Sequence, residues 1–184
     1  MMRYLLIFIS IFFFFISSAN SDVTKQIINN LKKTKNYSFK FIQKINENKE
    51  TGNCTLVFDR KIKCIYENTG KLLISDGKNL IIKTKNSNFP NFYKLENTYF
   101  YKILEKKYLI NQLSKSNVKK ELGKLYVDVN YQNISIKIYF DKEKFHLKGW
   151  KTKDIYGNSV LTDIDIQEVN KIVKQNIFNI QKFN

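Results

Sequence analysis

The two cysteines, Cys54 and Cys64, are the side chains of this sequence best suited to metal binding or redox reactions. Nine residues separate them, which matches neither a zinc signature nor the C-x-x-C motif of thiol exchange. His146 is the only histidine, and its place in KFHLKGW predicts a solvent-facing strand residue. Two cysteines and one histidine do not complete a zinc site without carboxylate help. We therefore predict no metal site and no cofactor.

The other polar residues do not form a recognisable catalytic set. A Ser-His-Asp triad needs a histidine base, and the chain has only His146. Asp163 and Asp165 alternate along a predicted strand and so share one face, which is more typical of a solvated face than of an acid/base pair. The six glycines are too few and too scattered to form a phosphate-binding loop. We predict a binding protein and not an enzyme.

The N-terminal residues have the pattern of an export signal. Arg3 precedes an apolar run, Tyr4–Ile16, and the small residues of SSANS follow it. As a helix this run spans about 20 Å, against about 30 Å for the hydrocarbon core of a bilayer. We predict a signal peptide over residues 1–21, cleaved before Asp22; an uncleaved anchor is the alternative.

The mature chain, residues 22–184, is long enough for one domain with its own core. The formal charge is +16, and losing Arg3 leaves +15 (16 − 1). Such a charge suits nucleic acid or an anionic surface, but the lysines are scattered and an exported protein rarely meets nucleic acid. We predict no nucleic-acid partner. A functional basic surface would face lipid head groups or an acidic protein, and compositional bias is the alternative.

Hydrophobic periodicity predicts a helix followed by two blocks of strands. Ser21–Lys35 carries its apolar residues on one helical face. From Tyr37 the period changes to two, which predicts about five strands before residue 86 and four to six after residue 121, with NIFNIQKF as a final short strand. Pro90 interrupts the pattern, and Asn86–Lys115 is predicted to form one or two short amphipathic helices. We predict a curved antiparallel sheet or barrel with the helices on its concave face as a lid.

The cysteines lie on one of the predicted hairpins. With the turn at DRK, Cys54 lies directly opposite Cys64, and such pairs have Cα atoms about 4.5–5.5 Å apart, within reach of a disulfide. In an exported protein we expect this disulfide to form, and two buried free thiols are the alternative. Leu56, Phe58 and Ile62 share the face of the cysteines. The pattern leaves open whether that face is concave or outer.

Several stretches of the mature chain occur, in the same order, in one known family. They are FIQK at Phe41–Lys44, LVFDRKIKCIYENTGKLLISDGKNLIIK at 56–83, YKLENTYFYKIL at Tyr93–Leu104, and Trp150, Asp154 and Gly157 within GWKTKDIYGN. Together they resemble the LolA family of periplasmic outer-membrane lipoprotein carriers, over nearly the whole mature chain. The family's R-P turn is Arg60-Lys61 here, its T-P is Thr98-Tyr99, and its members need not carry the cysteine pair.

The resemblance implies an unclosed antiparallel barrel of about eleven strands, with a helical lid over an apolar concave face. It implies a monomeric periplasmic carrier that binds the acyl chains of lipoproteins. An ATP-driven inner-membrane complex would release these lipoproteins, and an outer-membrane acceptor lipoprotein would receive them. Arg60 matches the family arginine that holds the lid closed in the free protein, so the resemblance implies a lid-control role for it.

A set of apolar side chains is predicted to contact the acyl chains. They are Phe39, Phe41, Leu56, Phe58, Tyr66, Ile74, Leu80, Leu95, Phe100, Ile103, Leu104 and Trp150. Two alternatives on the same fold stay open: a related periplasmic lipid-binding protein, and a regulatory protein that senses lipoprotein. Bound lipid in the purified protein would favour a carrier, and an apo protein that captures a partner domain would favour a sensor.

Overall fold

The computed structural model describes residues 22–58, 60–131, 134–154 and 156–183. The predicted signal peptide, residues 1–21, lies outside the described residues. Within the described part, no helix is long and apolar enough to cross a membrane. This part consists of eleven strands, three α-helices and three short 3₁₀ turns.

All of the strands belong to one antiparallel sheet. They are β1 (Asn36–Ile45), β2 (Asn48–Val57), β3 (Lys61–Tyr66), β4 (Leu72–Asp76), β5 (Asn79–Lys83), β6 (Asn91–Lys94), β7 (Lys119–Glu121), β8 (Lys124–Tyr131), β9 (Ile134–Phe140), β10 (Leu147–Lys153) and β11 (Ser159–Val169). Their spatial order is β6-β5-β4-β3-β2-β1-β11-β10-β9-β8-β7. The edge strands β6 and β7 do not pair with each other, so the sheet stays open. The predicted unclosed antiparallel sheet is confirmed.

The first and last strands, β1 and β11, pair at the centre of the sheet. One meander, β2 to β6, extends to one edge, and a second, β10 back to β7, extends to the other. The chain between β6 and β7 must therefore cross from one edge of the sheet to the other. This topology places the helices of that segment over one face of the sheet.

Strand β1 illustrates why these residues form a curved sheet. Tyr37, Phe39 and Phe41 are buried, and Lys40 between them is exposed, as the period of two predicts. The pairing of β1 with β11 shifts between Ser38 and Phe39, and a second shift lies in β10. Such bulges bend a strand and increase its twist, which favours curvature.

Three helices pack against the concave face of the sheet. They are α1 (residues 22–33), α2 (Phe100–Ile103) and α3 (Lys106–Lys115). Ile27 and Leu31 of α1 and Leu113 of α3 are fully buried in the main hydrophobic cluster. Strands of both meanders contribute to this same cluster, so the helices and the concave face form one core.

The prediction of a final C-terminal strand is wrong. The chain after β11 forms two 3₁₀ turns, Gln175–Phe178 and Gln181–Phe183. β11 already has β1 and β10 as neighbours, so no free edge lies next to it for another strand. Instead, Ile180 packs on Ile81 at the outer face of the sheet.

Two of the predicted helical segments need a correction. Asn91–Lys94 is not helical but forms the edge strand β6, which pairs with β5. Pro90 directly precedes this strand, a position that suits proline because it removes no hydrogen bond from the ladder. The predicted helix over Ser21–Lys35 also ends earlier, at residue 33.

Candidate functional site

The core between the concave face of the sheet and the helices that cover it contains nearly all of the side chains predicted to contact acyl chains. Phe39, Phe41, Leu56, Phe58, Tyr66, Leu80, Leu95, Phe100, Ile103, Leu104 and Trp150 all belong to one buried cluster, each between 0% and 9% exposed. Alternation along each strand directs every second side chain to this face. The concave face is therefore a continuous apolar wall.

Ile74 is the exception, and its predicted place in this site is wrong. It lies in a second, smaller cluster with Ile81 and Ile180. Its neighbour Leu73 belongs to the main cluster, and successive side chains of a strand point to opposite faces. Ile74 therefore faces the outer side of the sheet, where the C-terminal segment covers it.

The predicted disulfide is confirmed, and it lies on the concave face. Cys54 pairs with Cys64 in the β2–β3 register, with Cα atoms 4.1 Å apart. The two cysteines are 6% and 4% exposed and belong to the main cluster. The sequence left open whether this face is concave or outer. Leu56 and Ile62 belong to the same cluster as the cysteines, so the face is the concave one. The disulfide is part of the apolar wall.

The segment that crosses from β6 to β7 packs against this apolar wall. We call residues 95–115 the lid: a 3₁₀ turn (Leu95–Asn97), then α2 and α3. The Phe100 ring packs edge-on against Trp150, with ring centroids 6.1 Å apart. A cavity of only about 10 Å³ remains between the Phe100 ring and the sheet. An acyl chain would have to displace lid side chains to reach the concave face.

Arg60, the predicted lid-control residue, contacts the lid through its backbone and its side chain. Its N–H donates to the Leu104 carbonyl at 3.1 Å, and its own carbonyl accepts the Ser75 hydroxyl at 2.9 Å. The guanidinium carbon lies 4.9 Å from the centre of the Tyr101 ring. The backbone of Arg60 has φ 72°, in the left-handed region. In this conformation the same residue contacts Leu104 through its N–H and Tyr101 through its guanidinium. Arg60 joins the β2–β3 turn to α2.

A lysine among three tyrosines makes a second contact of the lid, which the sequence patterns did not indicate. Lys102 Nζ lies 4.2 Å from the Tyr108 ring and 4.9 Å from the rings of Tyr101 and Tyr131. It also forms an ion pair with Glu105 at 3.4 Å. Tyr131 belongs to β8, so these cation–π contacts tie both lid helices to the sheet. The tyrosines of NTYFYKILEKKY were a visible signal, but their partner depends on the register of β8.

The concave face also carries buried polar groups. The Tyr66 hydroxyl donates to Gln43 Oε1 at 3.2 Å. Burial raises the pKa of Tyr66 far above its ordinary value, and the nearby Tyr99 and Glu50 raise it further. The phenol therefore stays neutral and keeps its proton for Gln43. This bond shows that the apolar wall contains specific polar positions.

His146 does not have its predicted environment. It lies just before β10 and is half-buried, with Nδ1 3.2 Å from the Tyr37 hydroxyl. The two rings also meet edge-on, with centroids 5.6 Å apart. Burial lowers the pKa of His146, and Asp141 opposes that shift. The prediction of a solvent-facing strand residue is wrong because the turn after β9 folds this residue against Tyr37.

The aspartates Asp163 and Asp165 lie on the outer face of β11, opposite the buried Ile164. Asp163 forms an ion pair with Lys124, and Asp165 accepts a hydrogen bond from Gln167 at 2.7 Å. They border an open outer groove of about 450 Å³ whose lining carries charges of both signs. This environment fits the predicted solvated face.

Comparisons with known proteins concern the fold. No protein-family model matches the chain, and no curated protein matches it. A LolA superfamily protein from Nitrosomonas europaea is similar, with 7% identity and a TM-score of 0.48 over 89% of this chain and 98% of that one. The Mycobacterium tuberculosis lipoprotein LppX has 11% identity and a TM-score of 0.46 over 85% and 97% of the two chains. An outer membrane lipoprotein-sorting protein domain from Vibrio parahaemolyticus has 10% and 0.46 over 87% and 97%.

Proposed function

We propose that this chain is a periplasmic carrier that binds the acyl chains of lipoproteins on the concave face of its sheet. The supporting observation is the continuous apolar wall, which the lid covers with its own apolar side chains. In the free protein the lid side chains Leu95, Phe100, Ile103 and Leu104 pack against this wall. An acyl chain would take the place of these side chains on the same apolar surface.

Competition between lid and cargo would make the binding reversible. Each buried CH₂ of an acyl chain contributes about 0.8 kcal/mol, so a bare chain would otherwise enter the nearest membrane. Here the acyl chain would replace lid side chains that are already buried. The net free energy of binding is then only the difference between packing the acyl chain and packing the lid against the wall. A carrier needs this balance, since it must hold a chain tightly and still release it.

The remaining parts of the proposal concern location and partners. The signal peptide would be cleaved before Asp22, and the mature monomer would act in the periplasm. It would accept lipoproteins from an ATP-driven complex at the inner membrane and deliver them to an acceptor lipoprotein at the outer membrane. Arg60 would control the lid, because it links the β2–β3 turn to α2.

Release of lipoprotein from spheroplasts tests the proposal directly. The mature chain is added to spheroplasts that display a fluorescent acylated lipoprotein, and the supernatant is assayed for the labelled protein bound to the chain. We expect release of the acylated form. The matched control is the same lipoprotein anchored by a transmembrane helix in place of its acyl chains, which should stay on the spheroplasts.

Mass spectrometry of lipid extracted from the chain, purified after export to a periplasm, gives a second measurement. The proposal predicts acyl chains or acylated lipoprotein in the extract. An apo protein that releases nothing from spheroplasts, and instead co-purifies with a partner domain, would contradict the carrier function and favour a sensor.

A further inference from the structure

Two buried hydrogen-bond donors without a protein partner belong to residues that line the small cavity beneath the lid. Trp150 and Thr162 are 3% and 2% exposed, and both line the cavity of about 10 Å³. Trp150 Nε1 and Thr162 Oγ1 make no hydrogen bond to any described protein group. The two residues are direct partners across β10 and β11. The structure thus holds an N–H and a hydroxyl side by side in an apolar wall.

Such groups are uncommon, because a buried polar atom without a partner costs free energy. An indole N–H only donates, so it needs an acceptor, and a hydroxyl can donate to the same acceptor. The Gln43 carbonyl oxygen in the same lining already accepts the Tyr66 hydroxyl. The described lining contains no charged side chain that would attract an anion. A neutral acceptor, such as a carbonyl oxygen, therefore suits these two donors.

We propose that Trp150 and Thr162 bind the carbonyl oxygen of an acyl ester or amide, at the place that Phe100 closes in the free protein. This inference rests on the proposed function, since it concerns how an acyl chain is held. Phe100 lines the same cavity and packs against the Trp150 ring. When α2 moves outward, the space beside the two donors grows and a ligand oxygen can reach them. The acyl chain is then fixed in register on the wall, not merely buried.

The site makes the carrier selective for acyl over alkyl chains. An ester or amide satisfies both donors, and an ether or alkane leaves them buried without a strong acceptor. One neutral hydrogen bond corresponds to about a five- to tenfold change in affinity. The free protein, in turn, is less stable than it would be with apolar groups at these two positions.

The test is a competition assay on the purified mature chain with a fluorescent acyl probe. The competitors are 1-monopalmitoylglycerol, its ether analogue 1-O-hexadecylglycerol, palmitamide and palmitate. We expect the ester to bind about five- to tenfold more tightly than the ether, and the amide to bind like the ester. Palmitate at pH 8 should bind more weakly than the ester, because its carboxylate would be buried without a cation. Tighter binding of palmitate would overturn the assignment to a neutral carbonyl.

The variant Thr162→Val removes one donor and nearly preserves shape. It should reduce the ester-to-ether ratio toward one, and it should raise or leave unchanged the melting temperature, since an unpaired hydroxyl is lost. Thr162→Ser keeps a hydroxyl and should keep the ratio. The matched control is Thr152→Val: Thr152 has a buried, unpaired hydroxyl on the neighbouring strand but does not line the cavity. This control should leave the ratio unchanged.

The outcomes separate the two proposals. If the wild type binds ester and ether equally and tightly, the carbonyl site is wrong and acyl binding stands. If it binds none of the four ligands, the proposed function itself fails. If Thr162→Val lowers the melting temperature and leaves a high ratio intact, the hydroxyl serves a buried water and not the ligand, which overturns its role.

Discussion

Arg60 is one of the residues that join the sheet to the lid, and it does so through its backbone and, separately, through its side chain. The hydrogen bonds to Leu104 and from Ser75 use backbone atoms of Arg60, so a substitution keeps them. The contact with the Tyr101 ring uses the guanidinium and is lost with it. A cation over an exposed or half-buried ring is worth about 0.5–2 kcal/mol. That range is large enough to shift a closed lid toward an open one.

The variant Arg60→Leu should therefore hold cargo longer. In the proposed function the lid competes with the acyl chain for the concave face, so a lid with one contact fewer would be a weaker competitor. We expect acylated lipoprotein to accumulate on the purified variant and its transfer to an acceptor to slow about fivefold. Arg60→Lys, which keeps a cation near Tyr101, is the control and should behave more like the wild type. Transfer at the normal rate by Arg60→Leu would remove the assigned role.

His146 should make stability fall as the pH falls. Its pKa is lowered in the folded protein, mainly by burial, so the unfolded chain binds the proton more readily. The free energy of unfolding is therefore highest above about pH 6.5, the ordinary histidine pKa, and declines as the pH drops through and below that value. The groups nearby do not titrate in this window: the carboxyl of Asp141 has its pKa lowered, mainly by the Lys144 N–H, and burial raises the pKa of Tyr37.

Thermal melts between pH 5.0 and 7.5 check this prediction. The wild type should lose melting temperature toward pH 5.0, and His146→Gln should lose less over the same range. Equal slopes for the two proteins would show that another group carries the dependence.

At the scale of elements, the strands with strict alternation were predictable and the irregular segments were not. Tyr37, Phe39 and Phe41 identify β1 because they alternate with Ser38 and Lys40. The turn at DRK identifies the β2–β3 register in which the two cysteines pair. Strand β6 was not predicted because its residues are exposed on both faces, so its sequence shows no alternation of apolar and polar residues. The C-terminal turns escaped because their placement depends on which sheet edges are already paired.

Gly149 is an element-scale position where only glycine fits. Its φ is 145°, and a Cβ there would lie 2.0 Å from the Thr162 carbonyl oxygen. We expect Gly149→Ala to cost more than about 3 kcal/mol, or to prevent folding, because the backbone of β11 would have to move. Gly123→Ala is the control: its φ is 74° but nothing lies within 4 Å, so only the backbone penalty, about 1 kcal/mol, applies. Urea denaturation of both variants measures the difference, and equal costs would contradict the close approach of β10 and β11.

At the scale of the whole molecule, the concave wall was predictable as an apolar surface, and its polar details were not. Strand alternation places Phe41, Leu56 and Trp150 on one side once the fold is assumed. The same alternation placed Ile74 wrongly, because β4 is buried on both faces and either parity looks apolar. The unpaired donors of Trp150 and Thr162 arise only when β10 and β11 pair in their actual register.

The lid should be less stable than the centre of the sheet. α2 has four residues, and neither α2 nor α3 has a side-chain hydrogen bond at its N-cap. We expect lid amides to exchange hydrogen at least tenfold faster than those of β1, which has a paired neighbour on each side. Addition of 1-monopalmitoylglycerol should change exchange in the lid more than in β1. Mass spectrometry of peptides from both segments provides the measurement, and equal protection of lid and β1 would contradict a mobile lid.

The lid is a strap and not a flap, because the chain anchors it at both ends. Leu95 follows the last residue of β6 directly, and only residues 116–118 separate α3 from β7. A flap with one anchor swings aside freely, but a strap between two edges rises only if it unravels or if its anchors move. Outward movement of an intact lid therefore changes the gap between β6 and β7, and with it the curvature of all eleven strands. If the chain carries acyl cargo as proposed, the volume of that cargo would change the bending of the whole sheet, including strands that do not touch it.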